Sequence, residues 1–143
     1  MVKIFFDTDV CLDFLAFRQP FHEKMDEVIG YAAMNEQRCM ISECCIPNLI
    51  YILSNTYNVD NFEKRLMNWI EGCDIISTDE SVILKAIQSP FSDKEDACQY
   101  YTALYNNINL FFITRNKKDY ERCATVLPIY TPLEFLEICN NKC

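Results

Sequence analysis

The chain has 143 residues, with thirteen Lys and Arg against twenty-one Asp and Glu, a formal charge of −8, and half of its residues are hydrophobic. This length suits one domain, residues 1–143, with a two- or three-layer core, and the apolar content excludes a disordered chain. The acidic balance argues against broad nucleic-acid binding through a basic face, but not against an acidic centre neutralised by divalent ions.

Only Gly30 and Gly72 are glycines, which removes the dinucleotide-binding loop and the P-loop together. Nine cysteines lie at 11, 39, 44, 45, 73, 98, 123, 139 and 143 without a CxxC pair, and His22 is the sole histidine. A structural zinc is therefore not expected, and the odd, scattered set fits reduced thiols of a cytoplasmic protein. The longest uncharged run, Ala97 to Thr114, is broken by Gln99, Asn106, Asn107 and Asn109, so no membrane span is expected. The N-terminus also lacks the layout of a signal peptide.

In chain order, Lys3 to Phe6 reads as a strand ending at Asp7, and Val10 to Phe17 as a short helix stopped before Pro20. His22 to Asn35 has helical spacing, with His22 at the surface, and Arg38 to Ile41 reads as a second strand. Pro47 opens a helix to about Tyr57, and Asp60 to Trp69 forms another, closed by Gly72. Asp74 to Ile76 is a third strand. Thr78 is expected to cap the next helix, and Ser92 with Glu95 to form a capping box for the helix running to Asn106. Leu110 to Ile113 is the clearest strand, Lys117 to Cys123 a short helix, and Ile129–Tyr130 a last strand. Thr131, Pro132 and Glu134 start the final helix. The alternation predicts an α/β fold: three layers, α/β/α, around a mainly parallel sheet of four to five short strands.

In such a sheet, ligands gather at the carboxyl ends of the strands. Asp7 and Asp9 follow the first strand, Asn116 and Asp119 follow LFFIT, and Asp93, Glu95 and Asp96 open the helix before it. Clustered carboxylates raise one another's pKa unless a cation sits among them, and Mg²⁺ or Mn²⁺ suits oxygen donors. Such a site can act on phosphodiesters. Taken singly, Asp7, Glu95, Asp96 and Asp119 also fit as helix caps or first-turn acids, and Asp13, one turn beyond Asp9, as a solvent-exposed side chain. The combination carries the argument.

With those residues in view, the sequence resembles the PIN-domain family, in particular the VapC-like bacterial toxins and their relatives. The likeness rests on FFDTDVCLDFL at 5–15, MISECCIPNLIYIL at 40–53, DKEDACQYYTAL at 93–104, LFFITRNKKDY at 110–120 and IYTPLEFLE at 129–137. It implies an endoribonuclease using Mg²⁺ or Mn²⁺, commonly a homodimer, held inactive by an antitoxin protein. Asp7 and Asp96 match the family's acids, Thr114 and Asn116 its Thr-x-Asp position, and Asp119 lies one helical turn on. Asp7, Asp96 and Asp119 are thus the expected metal ligands. Asn48 and Asn116 stand where the family usually carries Glu and Asp, which implies weaker metal binding and weaker activity. Arg115, Lys117 and Lys118, with Asn48, are the candidate substrate contacts, the three cations forming the basic cluster beside the site. Two alternatives remain open: a PIN-like scaffold that binds RNA or protein without cutting, and a haloacid-dehalogenase-type phosphatase using Asp7 and Asp9.

Overall fold

Strand β1 (Lys3–Phe6) sends Ile4 and Phe6 to one face and Phe5 to the other, the alternation of a strand buried on both sides. The computed structural model describes residues 2–106, 110–123 and 126–142. Asn107, Asn109 and Cys143 lie outside the described residues. β2 (Arg38–Ser42) and β4 (Leu110–Ile113) flank β1, β3 (Cys73–Ile76) lies beyond β2, and β5 (Ile129–Tyr130) beyond β4. Every pairing is parallel.

Helices α1 (Thr8–Leu15), α2 (His22–Met34), α3 (Ile46–Asn55), α4 (Phe62–Glu71) and α8 (Pro132–Asn140) pack on the face carrying Ile4, Phe6, Ile41 and Ile113. Helices α5 (Glu80–Gln88), α6 (Lys94–Tyr105) and α7 (Lys117–Glu121) cover Phe5, Met40 and Phe112 opposite. This is the expected three-layer α/β/α fold around a parallel sheet. From β1 the chain order runs to one side through β2 and β3, and to the other through β4 and β5. A crevice therefore opens between the carboxyl ends of β1 and β4.

Several local details differ from the sequence reading. Helix α1 starts at Thr8 because Asp7 is its N-cap. Asp79, not Thr78, caps α5, and Asp93, not Ser92, caps α6, accepting from the N–H groups of Glu95 and Asp96. In both pairs the carboxylate is the stronger acceptor for helix N–H groups. Thr131 does cap α8, accepting from the Glu134 N–H at 3.2 Å. The Glu134 carboxylate turns instead to Lys117 at 2.6 Å. His22 is half-buried rather than superficial, because its ring stacks on Phe14 with centroids 5.6 Å apart.

Helix α1 ends on an unusual turn. Phe17 adopts φ 53°, a left-handed conformation costly for a residue with a Cβ. It lets the Arg18 N–H close back onto the Asp13 carbonyl at 3.1 Å, and the Arg18 side chain follows. Cys11 and Cys45 are buried free thiols, and Cys139 is buried as well. No described helix is long and apolar enough to cross a membrane.

Candidate active site

The first acid is fixed by the sheet itself. The Asp7 N–H donates to the Ile113 carbonyl at 3.1 Å, continuing the β1–β4 ladder by one residue. The residue is only 3% exposed. Oδ1 accepts from the Thr8 N–H at 2.8 Å and Oδ2 from the Thr114 hydroxyl at 2.9 Å. Thr114, fully buried after β4, in turn accepts the Asn116 N–H at 3.0 Å. Asp9, in the first turn of α1, accepts the Arg115 N–H at 3.1 Å.

Asp96 arrives from the first turn of α6. The Asn116 side-chain amide donates to it at 3.2 Å, and the Asn48 amide donates to Glu95 at 2.8 Å. The two amides that replace expected acids thus each bind a remaining acid. Beneath this layer, Gln99 locks α6 to α1 and β2. Its amide donates to the Thr8 hydroxyl and its carbonyl accepts from Ser42, both at 3.1 Å and all buried.

One cleft is lined by Asp7, Asp9, Asn48, Glu95, Asp96 and Asn116, with Arg18 and Arg115 on its rim. Asp119 is exposed and does not line this cleft. It faces an adjoining cavity that Asp93 and Asp96 share. Arg115 reaches the acidic cleft, whereas Lys117 and Lys118 line a neighbouring cavity with Glu121 and Glu134. The basic partner of the cleft, alongside Arg115, is therefore Arg18 rather than the two lysines. Asp13 is not solvent-exposed but wholly buried, gripped by both arginines: Arg115 Nε donates at 2.5 Å and Arg18 Nε at 2.8 Å.

The electrostatics bear the mark of crowded acid. Burial, then the charges of Asp9 and Asp96, push Asp7 well above the ordinary carboxylate range. Burial raises Asp9 as well, against the opposing pull of Arg115. Burial, then Asp93 and Asp9, lift Asp96 to about 6. Tyr120 escaped the sequence reading. Its hydroxyl is buried beside Asp7 and Asp96, and after burial the charges of those two acids raise its pKa. Only the acidic surroundings of LFFITRNKKDY hinted at it.

Among the described residues no three His, Cys, Asp or Glu side chains form a ready-made metal-ligating group. Asp7 is held by Thr114 and Asp96 by Asn116 instead. In kind, however, the donors fit a hard divalent cation: carboxylate and amide oxygens beside mutually repelling acids.

That repulsion gives a stability signature. All three acids bind a proton more tightly when folded than when unfolded. In EDTA, the stability tied to their protonation should be fully present only below the unfolded value of 3.8 and lost as pH rises, for Asp96 through about 6. Melting curves from pH 4.5 to 7.5 check this. A melting temperature in EDTA that climbs across this window would contradict the assignment.

Comparison with known proteins places these features in context. A family model described as PIN domain matches residues 3–118. No curated protein matches the sequence. Among solved structures, VapBC2 from Rickettsia felis, bound to a DNA fragment from their promoter, superposes with TM-score 0.71 at 14% identity, covering 91% of this chain and 98% of that one. DNA-bound VapBC from Salmonella typhimurium gives TM-score 0.69 at 18% identity, covering 92% and 99%.

Proposed function

Because this chain belongs to the PIN-domain family, we propose that it is an endoribonuclease that hydrolyses RNA phosphodiesters with Mg²⁺ or Mn²⁺, and that it is the toxin of a toxin–antitoxin pair. The observation that carries this is the convergence of Asp7 and Asp9 with Asp96, from two distant parts of the sequence, on the cleft where the sheet order reverses. A bound divalent ion would supply charge neutralisation and an activated water.

The chain's own groups supply the rest. Asp7 and Asp96, with Asp9, are the acids that would hold the ion. Asp119 stands ready from the adjoining cavity on the Asp96 side. Thr114 fixes the orientation of Asp7, and Asn116 that of Asp96, so each acid presents a defined oxygen. Arg115 would meet substrate phosphate in the cleft it shares with Asn48, and Lys117 and Lys118 in the neighbouring cavity that Arg115 also lines. Residues 1–143 act as one domain in this account, in the cytoplasm, as a homodimer under the control of an antitoxin. The resemblance to VapC-like toxins supports the partner and the dimer, and both structural neighbours are VapBC complexes.

The direct test incubates purified protein with a panel of RNAs in Mn²⁺, Mg²⁺ and EDTA. Cleavage restricted to the metal-containing reactions supports the nuclease. Folded protein that binds RNA but never cuts it favours the scaffold reading. That alternative has one observation of its own: Asn48 and Asn116 already satisfy Glu95 and Asp96 without any ion. Family membership leaves the phosphatase alternative without support.

The amide at 116 also predicts how the site can be tuned. Asn116→Asp sets a second carboxylate against Asp96, so it should lower the stability of the metal-free protein. It should also tighten Mn²⁺ binding by about tenfold, since ligand charge count governs affinity at such sites. Calorimetric titration of both proteins with Mn²⁺ measures it, and unchanged affinity would remove Asn116 from the ion's surroundings.

A further inference from the structure

The acidic cleft does not end at Arg115. The same guanidinium also lines a second cavity, of about 320 Å³, whose walls are Pro20, Phe21, Pro132 and Leu133, with Lys24 beside them. It sits at the low end of the roughly 300–1,000 Å³ typical of small-ligand sites, room for a compact unit rather than a folded partner. Its lining is split between apolar groups, one of them a ring, and the two cations Lys24 and Arg115.

Arg115 is built into this junction. Asp13, with no exposed surface, takes its Nε and Nη2 at 2.5 and 3.1 Å. The Phe21 ring lies 3.7 Å from the guanidinium carbon. Its Nη1 bonds to no described residue. Arg18 shares Asp13 and is held further by the Asp9 carbonyl at 2.7 Å and the Tyr57 hydroxyl at 3.1 Å. Two cations on one buried anion leave a net positive charge at the rim of an otherwise acidic cleft. A guanidinium fixed on one edge and one face presents its remaining donor at little further entropic cost, as planar recognition of phosphate requires.

From this we infer that Arg115 and Arg18 hold the phosphate next to the one at the acids, and that the Phe21–Leu133 cavity takes the base of that nucleotide. This rests on the nuclease reading for its ligand class and adds a nucleotide subsite to it. The occupant is a single-stranded nucleotide. A paired base would keep its faces in the duplex stack, whereas an unpaired one can lie on Phe21 and the two prolines.

The test needs no cleavage. Isotopically labelled protein in EDTA is titrated with uridine and adenosine 5′-monophosphates, with the nucleosides, and with inorganic phosphate, while the Arg side-chain N–H and Leu methyl resonances are followed. Monophosphates should move Arg115, Arg18 and Leu133 together and saturably. Phosphate alone should move only the arginines, and nucleosides only Leu133. Arg115→Lys should raise the monophosphate Kd by about tenfold, since a lysine lacks the planar fork. Leu133→Asp, a substitution that a first helical turn tolerates and that leaves Asp13 untouched, should weaken the monophosphates, read at the two arginines, to the affinity of inorganic phosphate and leave phosphate binding itself unchanged.

Monophosphate shifts that match those of inorganic phosphate, or that fall outside this cavity, overturn the subsite. RNA cleavage with unchanged KM in both variants overturns it while sparing the nuclease. Nucleotide binding here in a protein that cuts no RNA spares the subsite and removes the nuclease.

Discussion

Asp7→Asn is expected to cut metal-dependent RNA cleavage by at least roughly a hundredfold, the scale of losing one preorganised electrostatic group. The same substitution is expected to make the metal-free protein more stable. Asparagine keeps the Oδ1 that accepts the Thr8 N–H, and the Thr114 hydroxyl can rotate to accept from the new amide. What disappears is a buried charge raised by desolvation and by Asp9 and Asp96. Relief of an imperfectly solvated buried group is worth about 1–3 kcal/mol. The sign depends on pH. A carboxylate whose folded pKa is raised destabilises the fold only where it is ionised in the unfolded chain, so the gain should be clear at pH 7.5 and vanish below the unfolded value of 3.8. Melting curves of both proteins in EDTA, with RNA cleavage measured in Mn²⁺, report both halves. A variant that is inactive and also less stable at pH 7.5 would mean that Asp7 is a structural cap and not an acid kept for a cation.

The second large effect lies outside the acid cluster. Asp13→Ala should cost about 3 kcal/mol, within reach of measured losses when one partner of a buried ion pair is removed. In a chain of this length that corresponds to a fall in melting temperature of about 10 °C. Asp13 has no exposed surface and is the shared anchor of Arg18 and Arg115, whose side chains are 21% and 30% exposed. Without it both guanidinia can turn to water, which is why the cost falls at the lower end of that range. Differential scanning calorimetry gives the value, and a loss below 1 kcal/mol would show that the two arginines do not depend on Asp13.

The contrast between these two aspartates shows what was legible in the sequence. Asp7 could be found because a strand of alternating apolar residues ends on it, and strand ends are where α/β sheets place ligands. Asp96 could be found because an acid in a first helical turn precedes the best strand. Asp13 reads as an exposed polar position of an amphipathic helix, because its two partners lie five and 102 residues away. Arg18 was hidden for a related reason: its position depends on the left-handed turn at Phe17, which no residue preference signals. The cap misassignments have a simpler cause. Thr78–Asp79 and Ser92–Asp93 each offer two good caps in succession, separated only by the greater acceptor strength of the carboxylate. Asp119 shows the limit of spacing arguments, since one turn along α7 carries it out of the acidic cleft and into the next cavity.

The central strand has one further consequence, in time rather than in space. Asp7 leaves β1 early, but its partner Thr114 follows β4, which pairs with β1 across more than a hundred residues. Chains are made at about 5–20 residues per second, and contacts of long sequence separation form late. A nascent chain therefore exposes Asp7, Asp9 and Asn48 for several seconds as unconnected side chains. The cleft comes into being only when the segment beyond Asn116 has cleared the ribosome and β4 has slotted in beside β1. Whatever chemistry this cleft performs, synthesis imposes a built-in delay between making the first acid and arming the site.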